Sequence, residues 1–182
     1  RVILVILFFG IYLGCTDSPR EQSSFTYKAT PAVQEDESSK PEIAPIQETN
    51  PITVMIGPAV FTVQVAENHL SRAKGLSGQL GLPDNHGMLF IFESPSIQTF
   101  WMKDMLFPID IVWISDTCLV DSITPDIPIP LGSLETDELP KYQSNNPVKY
   151  VLEITQGQTE IRDIKAGDPV SFQGVFKIPI DC

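Results

Sequence analysis

The sequence predicts an all-β fold, a sandwich or barrel of about eight short strands with two short helices, preceded by a disordered tether. Sixteen prolines and 11 glycines argue against a helical bundle and favour short strands bounded by turns. The length of 182 residues suits one domain with appendages, and a hydrophobic content of 42% is enough for one core. We therefore expect a single folded domain at 53–182, behind two N-terminal segments that do not belong to its core.

The charge of the chain excludes one class of partner. Twelve Lys and Arg residues stand against 23 Asp and Glu residues, which gives a net charge of −11 and a pI near 4.4. An acidic surface repels phosphate backbones, so we expect no nucleic-acid partner. Nothing in the composition favours an oligomer, and a monomer is the default expectation.

Residues 1–15 are predicted to be a targeting segment. Their apolar run, 2–13, is too short to cross a bilayer, because a spanning helix needs ~20 residues. A basic start, an apolar stretch and a small residue before the cleavage point are typical of a secretory signal. The run ends at Gly14-Cys15, which resembles the lipobox of bacterial lipoproteins, although Tyr12 stands where the lipobox usually has Leu.

The lipobox resemblance implies that the Cys15 thiol is acylated and that cleavage makes Cys15 the mature N-terminus. The protein would then be attached to a membrane through this lipid and would face the extracytoplasmic side of the cell envelope. An ordinary cleaved signal and an uncleaved anchor remain as alternatives.

Residues 16–52 are predicted to be a disordered linker. The segment is rich in Pro, Ser and Glu and has no apolar periodicity, so it cannot bury enough surface to offset chain entropy. Its role would be to hold the folded domain away from the membrane. The alternative is a motif that folds on a partner, for which Phe25 and Tyr27 are the only candidate anchors.

The elements of the domain follow from alternating apolar residues and turn signals. A hairpin is predicted first, with a turn at Gly57-Pro58, and then a short helix that Asn68 caps and Gly75 ends. A second helical turn is expected at 159–164. The predicted strands are 53–56, 59–66, 87–92, 98–103, 108–114, 118–123, 148–154 and a last one from 169 onward.

Several blocks of sequence, in order, carry a family resemblance. They are S-R-A-K-G-L, G-M-L-F-I-F, F-W-M-K-D, P-I-D-I, Y-V-L-E-I and I-K-A-G-D, and together they resemble the domain of unknown function 192 family over roughly 61–172. The resemblance implies a compact β-rich fold with short helices and no established activity. The positions that match its signature are Arg72, Gly75, Gly87, Trp101, Met102, Lys103, Asp110, Tyr150 and Glu153, whereas Asp104 replaces the usual Asn.

A ligand site is predicted around Arg72, Trp101 and Lys103. Alternate residues of a strand share a face, so Trp101 and Lys103 should form a mixed aromatic and cationic surface. Such a surface suits a small anionic or glycan-like ligand, and the glycine-containing loop 77–87 should lie beside it. The alternative is that Trp101 simply packs under the Lys103 stem.

Asp110 is the most informative acidic residue, because it lies within the apolar stretch P-I-D-I-V-W-I. A buried carboxylate needs a cation or several N–H donors. Arg72 and Lys103 are the candidate cations. Two interpretations remain: a structural ion pair, or a polar pocket in which all three side chains converge on a ligand.

Catalytic motifs are mostly missing from the sequence. His69 and His86 are too far apart for a compact metal site, and no phosphate or dinucleotide loop is present, so we expect neither metal nor cofactor. Asp110 and Glu153 could form a carboxylate pair of the glycosidase type if their spacing allowed it.

The sequence therefore leaves three hypotheses for function. The first is a membrane-tethered binding module for a small anionic or glycan-like ligand, a peptide or an envelope protein. The second is an envelope hydrolase that uses Asp110 and Glu153, and the third is a purely structural lipoprotein. If Cys15 carries lipid, Cys118 and Cys182 remain as an even pair, and an extracytoplasmic location permits a disulfide between them. The alternative is that Cys118 is simply a small buried hydrophobic residue in a strand.

Overall fold

The computed structural model describes residues 50–132 and 137–182. The predicted targeting segment with Cys15, and residues 16–49 of the predicted linker, lie outside the described residues. Within the described part of the chain, no helix is both long enough and apolar enough to cross a membrane.

The described residues form nine strands and two short helices, which confirms the predicted all-β fold. The strands are β1 (Thr53–Ile56), β2 (Ala59–Ala66), β3 (His86–Ser96), β4 (Thr99–Trp101), β5 (Ile109–Ile114), β6 (Val120–Ile127), β7 (Lys141–Gln143), β8 (Val148–Thr155) and β9 (Val170–Gln173). The helices are α1 (His69–Lys74) and α2 (Gln158–Ile161).

Seven strands form one sheet in the order β6-β5-β8-β3-β2-β1-β9, and β4 pairs with β7 in a second, two-stranded sheet. The edge strands of the large sheet approach each other at a bridge between Leu119 and Pro169. There the backbone N–H of Val120 donates to the carbonyl of Asp168 at 2.9 Å. The sheet therefore curls until its edges meet at one end, which is a partly closed barrel rather than a sandwich.

The predicted hairpin and capped helix are both present. Ile56 pairs with Ala59 across the tight turn between β1 and β2. Asn68 accepts a hydrogen bond from the backbone N–H of Ser71 at 2.9 Å, and the Ser71 hydroxyl accepts one from the N–H of Asn68. Gly75 ends the helix with a φ of 49°, a value that few other residues adopt. This helix connects β2 to β3, which run parallel, and it crosses one face of the sheet.

The sheet is covered on both faces by apolar side chains, and every residue of β5 is buried. The inner cluster contains residues from both edges of the sheet, so it lies on the concave side, with Phe61, Leu89 and Leu152 among its members. The outer cluster lies on the convex side and includes Phe90 and Trp113. Strand β8 lies between β3 and β5 and contributes to both clusters.

Cys118 and Cys182 are joined by a disulfide, with their Cα atoms 5.7 Å apart. The last predicted strand is shorter than expected, because β9 ends at Gln173. The remaining tail packs Phe176 and Ile178 against the inner cluster. The disulfide fixes the end of this tail near the point where the two edges of the sheet meet.

Candidate functional site

A cavity of about 240 Å³ lies on the convex side of the sheet, between α1, β3, β4 and β8. Its walls are mostly apolar, and its polar side chains include Arg72 at α1 and Glu153 on β8. The apolar side chains that line it are Leu76, Phe90, Phe92, Phe100, Trp101 and Met105.

The strand register explains how these side chains come together. Phe90 and Phe92 are two residues apart on β3, so both point to the convex side. Phe100 on β4 contacts Phe90 edge to face, with ring centroids 4.9 Å apart. Gly87 allows β8 to lie close to β3, because a Cβ at this position would come within 2.7 Å of the carbonyl oxygen of Glu153.

Glu153 is the buried polar group of this cavity, with only 6% of its surface exposed. Among the described residues, its carboxyl group has no hydrogen-bond or ion-pair partner. Its oxygens are not fully enclosed by protein atoms. Because Glu153 lines the cavity, they face it. Burial raises the pKa of Glu153 to about 8, because an apolar environment disfavours the charged form. Around neutral pH the group is therefore an uncharged acid that can both donate and accept a hydrogen bond.

Arg72 and Trp101 both line this cavity, as the sequence predicted. The Arg72 guanidinium donates to the carbonyl of Ile91 at 2.8 Å, pairs with Glu93 at 3.4 Å and lies 5.0 Å from the Phe92 ring centroid. A backbone hydrogen bond and the charge of Arg72 lower the pKa of Glu93. The Trp101 side chain is partly open, with 43% of the residue exposed.

Lys103 does not join Arg72 and Trp101 in this cavity, which differs from the prediction. Strand β4 ends at Trp101, so the two-residue alternation does not extend to Lys103. Lys103 instead borders a separate depression with Met102 and Asp104. Its backbone carbonyl accepts a hydrogen bond from the Ser77 hydroxyl at 2.7 Å.

Asp110 is completely buried, but the prediction that Arg72 or Lys103 neutralises it is wrong. One carboxylate oxygen accepts a hydrogen bond from the backbone N–H of Asp126 at 2.9 Å. The other accepts from the backbone N–H of Thr159 at 3.0 Å and from its hydroxyl at 2.7 Å. Asp110 therefore attaches β6 and α2 to β5, and it is not part of the predicted ligand site.

Asp110 and Glu153 cannot act as a carboxylate pair across one cleft. In the register of β5 with β8, Asp110 is opposite Ile154, and Glu153 is opposite Ile111. Side chains directly opposite each other share a face of the sheet, and consecutive residues point to opposite faces. Asp110 therefore points to the concave side and Glu153 to the convex side, which removes the structural basis for the hydrolase hypothesis.

The cavity also contains residues that were not predicted from the sequence, above all Phe90, Phe92 and Phe100. Phe90 and Phe92 recur every second residue, which is the signal that could have identified them. His69 lines the cavity, whereas the ring nitrogen Nδ1 of His86 is bonded to the backbone carbonyl of Asp84 at 2.9 Å. Within 50–132 and 137–182, no three His, Cys, Asp or Glu side chains are grouped as a metal site.

Comparisons with known proteins bear on the fold and the family. The family model for DUF192, described as an uncharacterized ACR, matches residues 52–172. The chain belongs to this family. The match includes the elements that form the cavity and confirms the resemblance seen in the sequence. A search of curated proteins finds no significant match.

Two solved structures share the DUF192 domain's fold. One is a putative transcription regulator from Sinorhizobium meliloti 1021, with 24% identity, a TM-score of 0.59, and coverage of 68% of this chain and 93% of that chain. The other is a protein of unknown function from Novosphingobium aromaticivorans DSM 12444. It has 29% identity, a TM-score of 0.58, and coverage of 74% of this chain and 94% of its own.

Proposed function

We propose that this DUF192 domain is a binding module that takes one ring of a small glycan-like ligand into the cavity beside Glu153. The observation that carries the proposal is the Glu153 carboxyl group, which is buried, faces the cavity and has no partner among the described residues. Burying a polar group without a hydrogen-bond partner costs free energy of folding. A ligand that hydrogen-bonds with it would offset this cost.

The size and walls of the cavity favour a single ring. Its volume of about 240 Å³ lies below the ~300–1,000 Å³ of pockets for drug-sized ligands. The partly open Trp101 offers an aromatic face to the apolar side of a sugar ring, and Phe92 and Phe100 form further walls. A sugar ring combines an apolar face with hydroxyl groups, which matches an aromatic wall beside a single buried acid.

A neutral glycan-like ligand is favoured over an anionic one, the other class that the sequence suggested. Arg72 is already bound to the carbonyl of Ile91 and paired with Glu93. Lys103, the second predicted cation, lies outside the cavity. The acidic Glu153 side chain would also oppose an anion whenever it ionises.

The two tryptophans of the chain allow a site-specific binding test. Trp101 lines the cavity, whereas Trp113 is buried and donates its indole N–H to the Thr124 hydroxyl at 2.9 Å. Titration of the full chain with methyl N-acetylglucosaminide should shift the indole N–H signal of Trp101 in an NMR spectrum, in a saturable way. The Trp113 signal should move much less, because Trp113 does not line the cavity and only its edge-to-face contact with Phe100 connects it to the ligand.

Trp101→Ala should abolish this binding, measured by calorimetry. Leu119→Ala is the matched control, because Leu119 is 43% exposed, as Trp101 is, and lies away from the cavity. If neither the neutral sugar nor the anionic probe glucuronate binds at Trp101, the proposed function is wrong. Tighter binding of glucuronate would instead assign the cavity to anionic ligands.

Attachment to a membrane through lipid on Cys15, at the extracytoplasmic face of the cell envelope, is the second part of the proposal. It rests on the sequence before residue 16 alone. Mass spectrometry of the protein expressed in a bacterium should find an N-terminal, acylated Cys15. A mature chain that begins elsewhere and carries no lipid would contradict this part and leave the binding module unaffected.

A further inference from the structure

We propose that Glu153 recognises its ligand as an un-ionised acid, donating its carboxyl proton in a hydrogen bond to an oxygen of the ligand. The inference rests on the proposed function and specifies the ligand class more closely. The ligand would present a carbonyl, hydroxyl or ether oxygen, such as that of an acetamido sugar, at the base of the cavity. It would not present an ammonium group there.

The geometry around Glu153 supports a proton donor. The side chain leaves the middle of β8, opposite Ile111 of β5 and Met88 of β3, so its immediate strand neighbours are apolar. The walls of the cavity include the Phe90 and Phe100 rings and the Met105 side chain. None of these groups donates a conventional hydrogen bond to a carboxylate, so these residues do not stabilise the ionised form.

The charged groups around the cavity do not alter this conclusion. Besides Glu153, the titratable side chains that line it among the described residues are His69, Arg72 and Lys74, and all three belong to α1. Burial is the cause that raises the pKa of Glu153. From the other elements, Glu93 of β3 pairs with Arg72, and the Lys141 ammonium of β7 lies 5.8 Å from the Trp101 ring centroid.

The protonation state of Glu153 also argues against an amine as the ligand group. An ammonium in the cavity would be attracted to Glu153 only after this group had lost its proton. A neutral oxygen acceptor has no such requirement. The two ligand chemistries predict opposite pH dependences, since an acceptor needs the protonated form of Glu153 and an ammonium needs the ionised form.

The test is the same NMR titration of the full chain, now with a matched pair of probes. At pH 6, methyl N-acetylglucosaminide should bind, and methyl glucosaminide, which carries a protonated amine on the same ring, should bind at least about ten-fold more weakly. Between pH 7 and pH 9, the affinity for the acetamido probe should fall by about ten-fold as Glu153 ionises. The Trp113 signal reports whether the fold is intact at each pH.

Two variants complete the test. Glu153→Gln should bind the acetamido probe with an affinity that does not change between pH 7 and pH 9, because the amide donates at both. Glu153→Leu, which has no donor, should lose binding. If the wild-type protein binds the acetamido probe equally well at pH 7 and pH 9, the inference is overturned while the binding module stands. Tighter binding of the amine probe at pH 6 would overturn it as well.

Discussion

Asp110 and Glu153 are two buried carboxyl groups on neighbouring strands, and they differ in what surrounds them. Asp110 accepts three hydrogen bonds, one from Asp126 and two from Thr159. Glu153 has no partner among the described residues and faces a cavity. From sequence alone, Asp110 is the more informative of the two, because it lies within a longer apolar stretch. The difference in their hydrogen bonding separates a structural acid from a candidate binding residue.

The largest effect is expected at Asp110. Asp110→Ala should lower the free energy of unfolding by ~3–5 kcal/mol, since it leaves three donors without an acceptor and each buried unsatisfied donor costs ~1–3 kcal/mol. Urea denaturation followed by circular dichroism measures this loss. A loss below ~1 kcal/mol would show that Asp110 does not attach α2 to the sheet.

A smaller effect with a characteristic pH dependence is expected at Glu153. The pKa of this group rises from 4.5 in the unfolded chain to about 8 in the folded protein. Between these values the folded state holds one more proton, so the free energy of unfolding should fall by ~1.4 kcal/mol per pH unit as pH rises. The loss should begin above about pH 4.5 and end near pH 8.

Glu153→Gln removes this titration. The free energy of unfolding of the variant minus that of the wild type should therefore be ~3 kcal/mol larger at pH 7 than at pH 5. Urea denaturation of both proteins across this range gives the difference, in which other titrating groups cancel. Glu160→Gln, at an exposed position of α2, is the matched control and should show no comparable change. A constant difference between Glu153→Gln and the wild type would show that Glu153 is ionised at both pH values.

Double-mutant cycles give the smallest effects and locate the partners of Asp110. Asp110→Ala and Thr159→Val should couple by ~1–3 kcal/mol, because they remove the two sides of one contact. Asp110→Ala and Arg72→Ala should be additive within ~0.5 kcal/mol. Coupling above that value between Asp110 and Arg72 would restore the ion pair that the sequence suggested.

Much of the fold could be predicted from the sequence because its signals are local. The Gly57-Pro58 turn and the Asn68 cap each act over a few residues, and both appear where expected. The choice between sandwich and barrel could not be predicted, because it depends on the approach of Leu119 to Pro169 from opposite edges of the sheet. The strand order likewise depends on contacts between distant segments.

The candidate site was predicted only in part from the sequence. Arg72 and Trp101 were found because their signature blocks flank one loop, and they do line one cavity. Lys103 was assigned wrongly, since strand alternation was extended past the end of β4. The donors to Asp110 are mostly backbone N–H groups, which carry no residue-specific signal. That Glu153 has no partner within the described part of the chain becomes evident only when the surrounding side chains are placed.

The position of β8 in the middle of the sheet has a consequence for how the chain folds. Its two neighbours, β3 and β5, both precede it in sequence, and β8 spans Val148–Thr155. During synthesis, β3 and β5 therefore cannot pair with β8 until most of the chain has left the ribosome. Pairing of such distant segments slows folding, and we expect folding times of roughly milliseconds to seconds rather than microseconds. A chain truncated before β8 should collapse without a central sheet, which makes premature termination more damaging here than the loss of a peripheral strand.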